Sequence, residues 1–213
     1  MGSVDNSKYA HINTAVFDFV LPDSSVLDVG CWTGDLGRKL VDAKKCTVDG
    51  VDVYPEVLKE AKSSGYRNTY CFNLNDPVNE LVIDTKYDFI IFADVLEHIL
   101  QPGEIVDFFK DRLKENGKII VSLLNIAFIL YRLKHLFGNF DYKDVGVMDS
   151  THLRFYTLKT MNKFFEERGL RVVSRVCYNE VAPQHSFLQI LKHLWPTLFT
   201  LQFVFLLETV NGR

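Results

Sequence analysis

Carboxylates, histidines and glycines that could do chemistry gather in four strings of this 213-residue chain. The first is VLDVGCWTGDLG (26–37), an apolar run that breaks into glycines at 30, 34 and 37, with Asp28 before them and Asp35 among them. The second is GVDV (50–53), whose Asp52 lies 22 residues after Gly30, where a carboxylate can accept both hydroxyls of a ribose. A turn that holds a dinucleotide needs the tighter G-x-G-x-x-G, so that backbone amides approach a pyrophosphate. Here the spacing is G-x-x-x-G-x-x-G, with Trp32 where the second glycine would stand. The turn therefore suits a nucleoside without a pyrophosphate and disfavours a nicotinamide-dependent oxidoreductase.

The third string is ADVLEHI (93–99). Asp94-x-x-Glu97 fits a capping box, with Asp94 capping a helix and Glu97 reaching back. His98 could act as a base or hold structure. The fourth is MDSTHLRFYT (148–157), in which His152 and Arg154 are two apart and would share a face of an extended segment. A histidine can take a proton from a hydroxyl or amine near neutral pH. An arginine beside it could clamp a carboxylate or phosphate. The structural alternative pairs Arg154 with Asp149 and leaves His152 to pin the loop. We take His152 and His98 as catalytic candidates and Arg154 and Tyr156 as substrate-binding candidates.

Alternating strand-like and helix-like stretches must position these residues, which argues for an α/β layered fold with a mainly parallel sheet. Strands are expected at SVLDVG, TVDGVDV, NTYCFNL, YDFIIFA, KIIVSLL, RVVSRVCY and LQFVFLLETV. Helices are expected at 35–45, at 54–65 with Pro55 near the first turn, and at 102–117 closed by Gly117. A further helix over 158–169 has Thr157 as its N-cap, and one more is expected at FLQILKHLW (187–195). Residues 126–157 interrupt the alternation: an apolar helix, then a polar loop with Gly138 and Gly146. The expected architecture is one domain over 1–213, a seven-stranded, mostly parallel, doubly wound sheet with an antiparallel last strand and a small inserted cap at 126–157.

VLDVGCWTG, GVDVYPE and YDFIIFADVLEH, in this order and at these separations, resemble the Rossmann-like class of S-adenosylmethionine-dependent methyltransferases. The resemblance covers residues 24–125 well and the remainder more loosely. It implies S-adenosylmethionine as cofactor, with Gly30, Trp32 and Gly34 lining its methionine portion and Asp52 holding its ribose. Asn73 stands where many relatives carry an aspartate for the adenine amino group, and an Asn oxygen accepts the same hydrogen bond. Asp28, Cys31, Val53, Leu74, Ala93, Asp94 and Val95 complete the implied cofactor set. The string D-x-T-H-x-R-F-Y-T resembles a cap segment of bacterial methyltransferases acting on small molecules and on surface-glycan sugars.

The expected function is methyl transfer to an oxygen or nitrogen of a small-molecule acceptor, such as a sugar or surface-glycan precursor. The alternatives are an RNA or protein methyltransferase, or a binding module without turnover. The asparagine-proline-proline-aromatic string expected of adenine or glutamine N-methylation is missing after the fourth strand. A net charge of −3 gives no reason to expect nucleic-acid binding. The four cysteines (31, 46, 71, 177) have no metal-ligand spacing, so no metal is expected, and free thiols point to a reducing compartment. The polar start MGSVDNSKYA lacks a signal-peptide pattern, and neither 119–133 nor 198–210 reaches the roughly 20 residues of a membrane span. A cytoplasmic protein without integral membrane association follows. The apolar segment LKHLWPTLFTLQF (191–203) is expected to be core, with a dimer contact or a membrane-visiting patch as the alternatives.

Overall fold

The computed structural model describes residues 12–178, 191 and 193–210. Seven strands form one sheet: β1 (Ser25–Val29), β2 (Thr47–Asp52), β3 (Asn68–Cys71), β4 (Tyr87–Ala93), β5 (Leu113–Leu124), β6 (Leu170–Tyr178) and β7 (Gln202–Thr209). Their spatial order is β3-β2-β1-β4-β5-β7-β6. β1 to β5 pair in parallel, and β7 runs antiparallel to both β5 and β6. The chain winds outward from β1 to β3, then returns to place β4 on the other side of β1. That reversal opens a crevice at the carboxyl ends of β1 and β4, the place where open α/β sheets bind ligands.

The central strands are continuously apolar because helices cover both faces. Side chains alternate between two cores: Leu27, Ile90, Phe92, Val121 and Phe205 face one, and Val26, Phe89, Ile91, Ile120 and Val204 the other. Helices α4 (Pro102–Lys110) and α6 (Leu158–Glu167) close the first. Helices α1 (Thr14–Phe19), α2 (Asp35–Lys44) and α3 (Pro55–Ser63) close the second. Asp49 is fully buried in the middle of β2 and is fully partnered. It accepts from Arg67 at 3.0 and 2.6 Å, from the Tyr87 hydroxyl at 2.8 Å and from Asn68 N at 3.0 Å.

Local signals set several boundaries. Thr157 caps α6 reciprocally with Thr160, as its residue type predicts. Pro55 opens α3. Three boundaries differ from the sequence pattern. The fourth helix ends at Lys110, not Gly117, because Leu113 already pairs with Tyr87 of β4 across a bulge. Leu113 keeps helical spacing from Phe109, so periodicity alone runs past the true end. β3 stops at Cys71, and residues 73–76 turn away instead of continuing the strand to Leu74. Helix α1 was not foreseen: Asn13 caps it, its side chain accepting from Ala15 N at 3.0 Å and Val16 N at 3.4 Å.

Between β5 and α6 the chain leaves the sheet at 126–157, forming α5 (Ile129–Leu136) and a loop. Ile126 N donates to Tyr156 O at 3.0 Å and pins the base of this excursion. The expected helix 187–195 lies largely outside the described residues. Of segment 191–203, Phe203 is core, while Leu194 and Trp195 are exposed. No disulfide joins the four cysteines. Among the described residues, no helix is long and apolar enough to cross a membrane.

Candidate functional site

The glycine turn is fixed by the end of β2. Gly30 N and Cys31 N donate to Val51 O at 2.8 and 3.1 Å, and Trp32 N donates to Asp52 Oδ2 at 2.9 Å. The other Asp52 oxygen accepts from Tyr54 N at 3.2 Å. Each carboxylate oxygen carries a further lone pair, so Asp52 is oriented by the chain and retains acceptor capacity. The turn alternates through left-handed backbone at Gly30 (φ 75°), Trp32 (φ 48°) and Gly34 (φ 85°). Only glycine takes that region without cost, so Trp32 sits in strained backbone. Its ring meets Tyr54 edge-on, with centroids 5.9 Å apart.

Tyr66, which no motif singled out, is the post under this turn. Its hydroxyl donates to Asp28 Oδ2 at 2.6 Å and accepts from Gly37 N at 3.1 Å. A Cβ at Gly37 would lie 2.2 Å from the Tyr66 ring, so the third glycine of the string makes room for this side chain. Asp28 is buried and pushed up to about 6, first by loss of solvent and then by the nearby Asp52 charge, with the Tyr66 hydrogen bond holding it down. Cys31 turns its thiol inward against Gly50, and burial pushes that thiol up strongly. Its side chain belongs to the core, which leaves its backbone as the part that lines the turn.

Beside the turn, β4 ends in Ala93, and Val95 packs where a Cβ on Gly30 would be, 2.5 Å from Val95 Cγ2. Asp94 has φ 55° and is not a helix cap, nor does Glu97 reach back, so the capping-box alternative fails. Asp94 Oδ1 instead accepts from Ser122 Oγ at 2.8 Å and Gln202 Nε2 at 2.6 Å, while Asp94 N donates to Ser122 Oγ at 3.0 Å. Gln202 Oε1 accepts from Asn13 Nδ2 at 3.1 Å, tying α1 to this edge. Ser122, Gln202 and Asn13 come from β5, β7 and the start of α1, so only their convergence marks them.

Asn73 folds its own loop: its Oδ1 accepts from Asn75 N at 3.1 Å and its Nδ2 donates to Asp76 at 3.2 Å. Leu74 packs on the core, and Val53 is exposed. Asn75 joins this loop to the next, accepting from Leu100 N at 2.7 Å and donating to His98 O at 3.3 Å.

The third and fourth strings are one structure. Leu153 N and Arg154 N both donate to Glu97 O, at 2.8 and 3.1 Å. The rings of His98 and His152 meet edge to face with centroids 4.7 Å apart. His98 Nδ1 donates to Thr151 O at 3.2 Å and His152 Nδ1 to Val147 O at 3.1 Å. Burial, then the neighbouring His152, lowers the His98 pKa, so its ring stays neutral and basic near pH 7. His152 and Arg154 both reach the 98–100 segment: the His152 ring meets His98, and the Arg154 guanidinium goes to the Ile99 and Leu100 carbonyls. Arg154 does not pair with Asp149, which accepts from Thr151 N and Thr151 Oγ1 at 2.9 and 2.6 Å. Tyr156 is core; its hydroxyl has no hydrogen-bond partner among the described residues, and burial pushes it up to about 12.

Comparison with known proteins agrees with this geometry. A family model described as "Methyltransferase domain" matches residues 6–175. The mitochondrial ubiquinone biosynthesis O-methyltransferase of Schizosaccharomyces pombe is 23% identical over 165 residues, covering 75% of this chain and 60% of that protein. The Colwellia psychrerythraea ubiquinone biosynthesis O-methyltransferase is 26% identical over 169 residues, covering 77% and 68%. This chain thus spans about two thirds or less of the length of these relatives. Among solved structures, a S-adenosylmethionine-dependent methyltransferase from Clostridium acetobutylicum aligns with a TM-score of 0.61 at 20% identity, covering 98% and 93% of the two chains. Magnesium protoporphyrin IX methyltransferase from Synechocystis, with bound SAH, aligns at 0.61 and 19% identity, covering 92% and 79%. At these identities the structural likeness establishes the fold.

Proposed function

Because the chain belongs to the methyltransferase-domain family, whose model matches residues 6–175, we propose that it transfers a methyl group from S-adenosylmethionine to an oxygen of a small-molecule acceptor. The observation that carries this reading is the joining of two chemistries at one sheet edge. Asp94 closes the glycine-turn side, and the His98–His152 pair begins four residues further on.

The residues present fit that cofactor. Buried carboxylates at Asp28 and Asp52 flank the turn, which suits a ligand with a sulfonium, an ammonium and a ribose but no phosphate. Asp52 would hold the ribose hydroxyls, the backbone of 30–34 the methionine portion, Asn73 and Leu74 the adenine side, and 93–95 the remaining edge. When bound, the cofactor supplies an electrophilic methyl on sulfur. The chain's own task is then alignment and removal of one proton. A lone-pair nitrogen on His98 or His152 is suited to accept that proton from the acceptor hydroxyl. Arg154, holding the Ile99 and Leu100 carbonyls, keeps 149–154 docked over the edge.

An oxygen acceptor is favoured by the relatives named ubiquinone biosynthesis O-methyltransferases. Calorimetric titration with S-adenosylmethionine and with NAD tests the cofactor: micromolar-scale binding of the first and none of the second is expected. Methyl transfer is then measured across hydroxylated aromatics and sugar nucleotides, the latter because the cap string resembles that of glycan-sugar methyltransferases. Binding of NAD in place of S-adenosylmethionine would overturn the proposal.

A further inference from the structure

Glu97 is the anomaly of the site. The residue is 2% exposed, and neither carboxylate oxygen meets a hydrogen-bond donor among the described residues. Buried carboxylates are expected to be hydrogen-bonded, paired or bound to a cation. Among the described residues, no arginine or lysine answers Glu97. Burial, then Asp94 and more weakly Asp149, raises its pKa well above the ordinary carboxylate range, with its own backbone amide the group that opposes them.

Two imidazoles do answer it. Glu97, His98 and His152 each offer one ligand-capable atom, and these atoms lie within 4.8 Å of one another. Nδ1 of both rings is given to a backbone carbonyl, Thr151 O for His98 and Val147 O for His152. That leaves Nε2 of each ring as the lone-pair nitrogen. Histidines that ligate metals are oriented in this way, by donating their second nitrogen to a carbonyl or carboxylate. The shell around them is built as well. Asp149 holds Thr151 by two hydrogen bonds, and the Glu97 carbonyl accepts from Leu153 N and Arg154 N. Glu97 and His98 follow β4 directly, whereas His152 arrives from the excursion 126–157, so the docked cap completes the set.

We propose that Glu97, His98 and His152 bind one divalent transition-metal cation of the Zn²⁺, Mn²⁺ or Fe²⁺ class. Two imidazoles and one carboxylate are a donor set for these ions, and three protein ligands leave coordination positions open. The sequence expectation of no metal rested on cysteine spacing, which is silent about a Glu-His pair joined by a distant histidine. Binding of the cation stands independently of the methyl-transfer reading; its use rests on that reading. With the cation bound, both Nε2 atoms are ligands and neither ring is the proton acceptor; the cation instead draws down the pKa of the acceptor hydroxyl, whose proton passes to water. The oxygen then forms its bond to the methyl carbon as the carbon–sulfur bond breaks, and the electron pair stays on sulfur.

The test uses the full chain, freed of metal by chelation and dialysis. Co²⁺ titration is followed by visible absorption and Zn²⁺ and Mn²⁺ titrations by calorimetry, with S-adenosylhomocysteine affinity measured in parallel. One equivalent of cation is expected to bind, Co²⁺ with visible bands of a nitrogen–oxygen site. Glu97→Gln and His152→Gln should each weaken binding by about a hundredfold or more, leaving S-adenosylhomocysteine affinity within twofold. Far-ultraviolet circular dichroism checks the fold, and His98→Asn serves where either variant fails to fold. Wild-type protein that takes up none of the three ions would overturn the proposal and leave Glu97 as a buried neutral acid. Uptake that survives both substitutions would overturn it too, placing the ion elsewhere. Loss of S-adenosylhomocysteine binding in the wild type would count against the cofactor reading alone.

Discussion

Replacing Tyr66 by phenylalanine removes one oxygen from beneath the glycine turn and should cost stability in a pH-dependent way. In the native protein that hydroxyl donates to Asp28 at 2.6 Å and accepts from Gly37 N at 3.1 Å. At pH 8 the folded Asp28 is ionised, and losing a hydrogen bond to a charged group costs about 1.5–3 kcal/mol. The unanswered Gly37 amide adds about 1 kcal/mol. The expected loss is therefore about 2.5–4 kcal/mol at pH 8. At pH 4.5 the folded Asp28, raised from 3.8 to about 6, is protonated. The bond lost is then a neutral one, about 0.5–1.5 kcal/mol, and with the Gly37 amide the total falls to about 1.5–2.5 kcal/mol. The sign follows from linkage: a carboxyl raised in the folded state favours folding most when protonated. That contribution is lost as pH climbs from about 4 through about 6, and across this window it amounts to about 3 kcal/mol. Urea unfolding of both proteins at pH 4.5 and pH 8 measures the difference. Asp28→Asn is the control, because in that background Tyr66→Phe should cost the same at both pH values. A Tyr66→Phe penalty equal at the two pH values in the native background, within about 0.5 kcal/mol, would refute the coupling between this hydroxyl and an ionisable Asp28.

Three further outcomes are expected. Asp52→Ala should weaken S-adenosylmethionine binding by about 1.5–3 kcal/mol in calorimetry, the loss expected for hydrogen bonds to a charged acceptor; unchanged affinity would remove its ribose role. Trp32→Gly should be more stable than Trp32→Ala by about 1 kcal/mol in denaturant unfolding, since φ 48° favours glycine; equal stabilities would mean the turn relaxes once the ring is gone. His152→Ala should lower turnover by about a hundredfold or more, measured as methyl transfer, with cofactor affinity unchanged. A fall below about threefold would leave His152 a purely structural residue.

The order of strands and the position of the glycine turn were legible in the chain because both are local. Apolar runs of strand length, Pro55 at a helix start, Thr157 at a helix cap and glycines after β1 each act within a few residues. Where the pattern ran past the truth, at the end of α4, the deciding contact was tertiary: Leu113 pairs with Tyr87, 26 positions earlier in the chain. Trp32 was recognisable as the wrong residue for a phosphate turn, but its left-handed backbone needed the fold to be seen.

The site divides along the same line. Asp28, Gly30, Gly34 and Asp52 stand in short strings whose spacing carries meaning by itself. Tyr66, Ser122, Gln202 and Asn13 had no such spacing, because what recruits them is a hydrogen bond across strands and helices, up to 189 residues apart for Asn13 and Gln202. The reading of Arg154 as a substrate clamp beside His152 could not foresee that the Ile99 and Leu100 carbonyls take its guanidinium while the His152 ring meets His98. Sequence alone therefore determined a nucleoside-binding α/β sheet with two separate polar strings beyond it. Only tertiary structure decided that these strings meet, since bringing His152 beside Glu97 and His98 requires the cap to dock its backbone on the Glu97 carbonyl, beyond the end of β4.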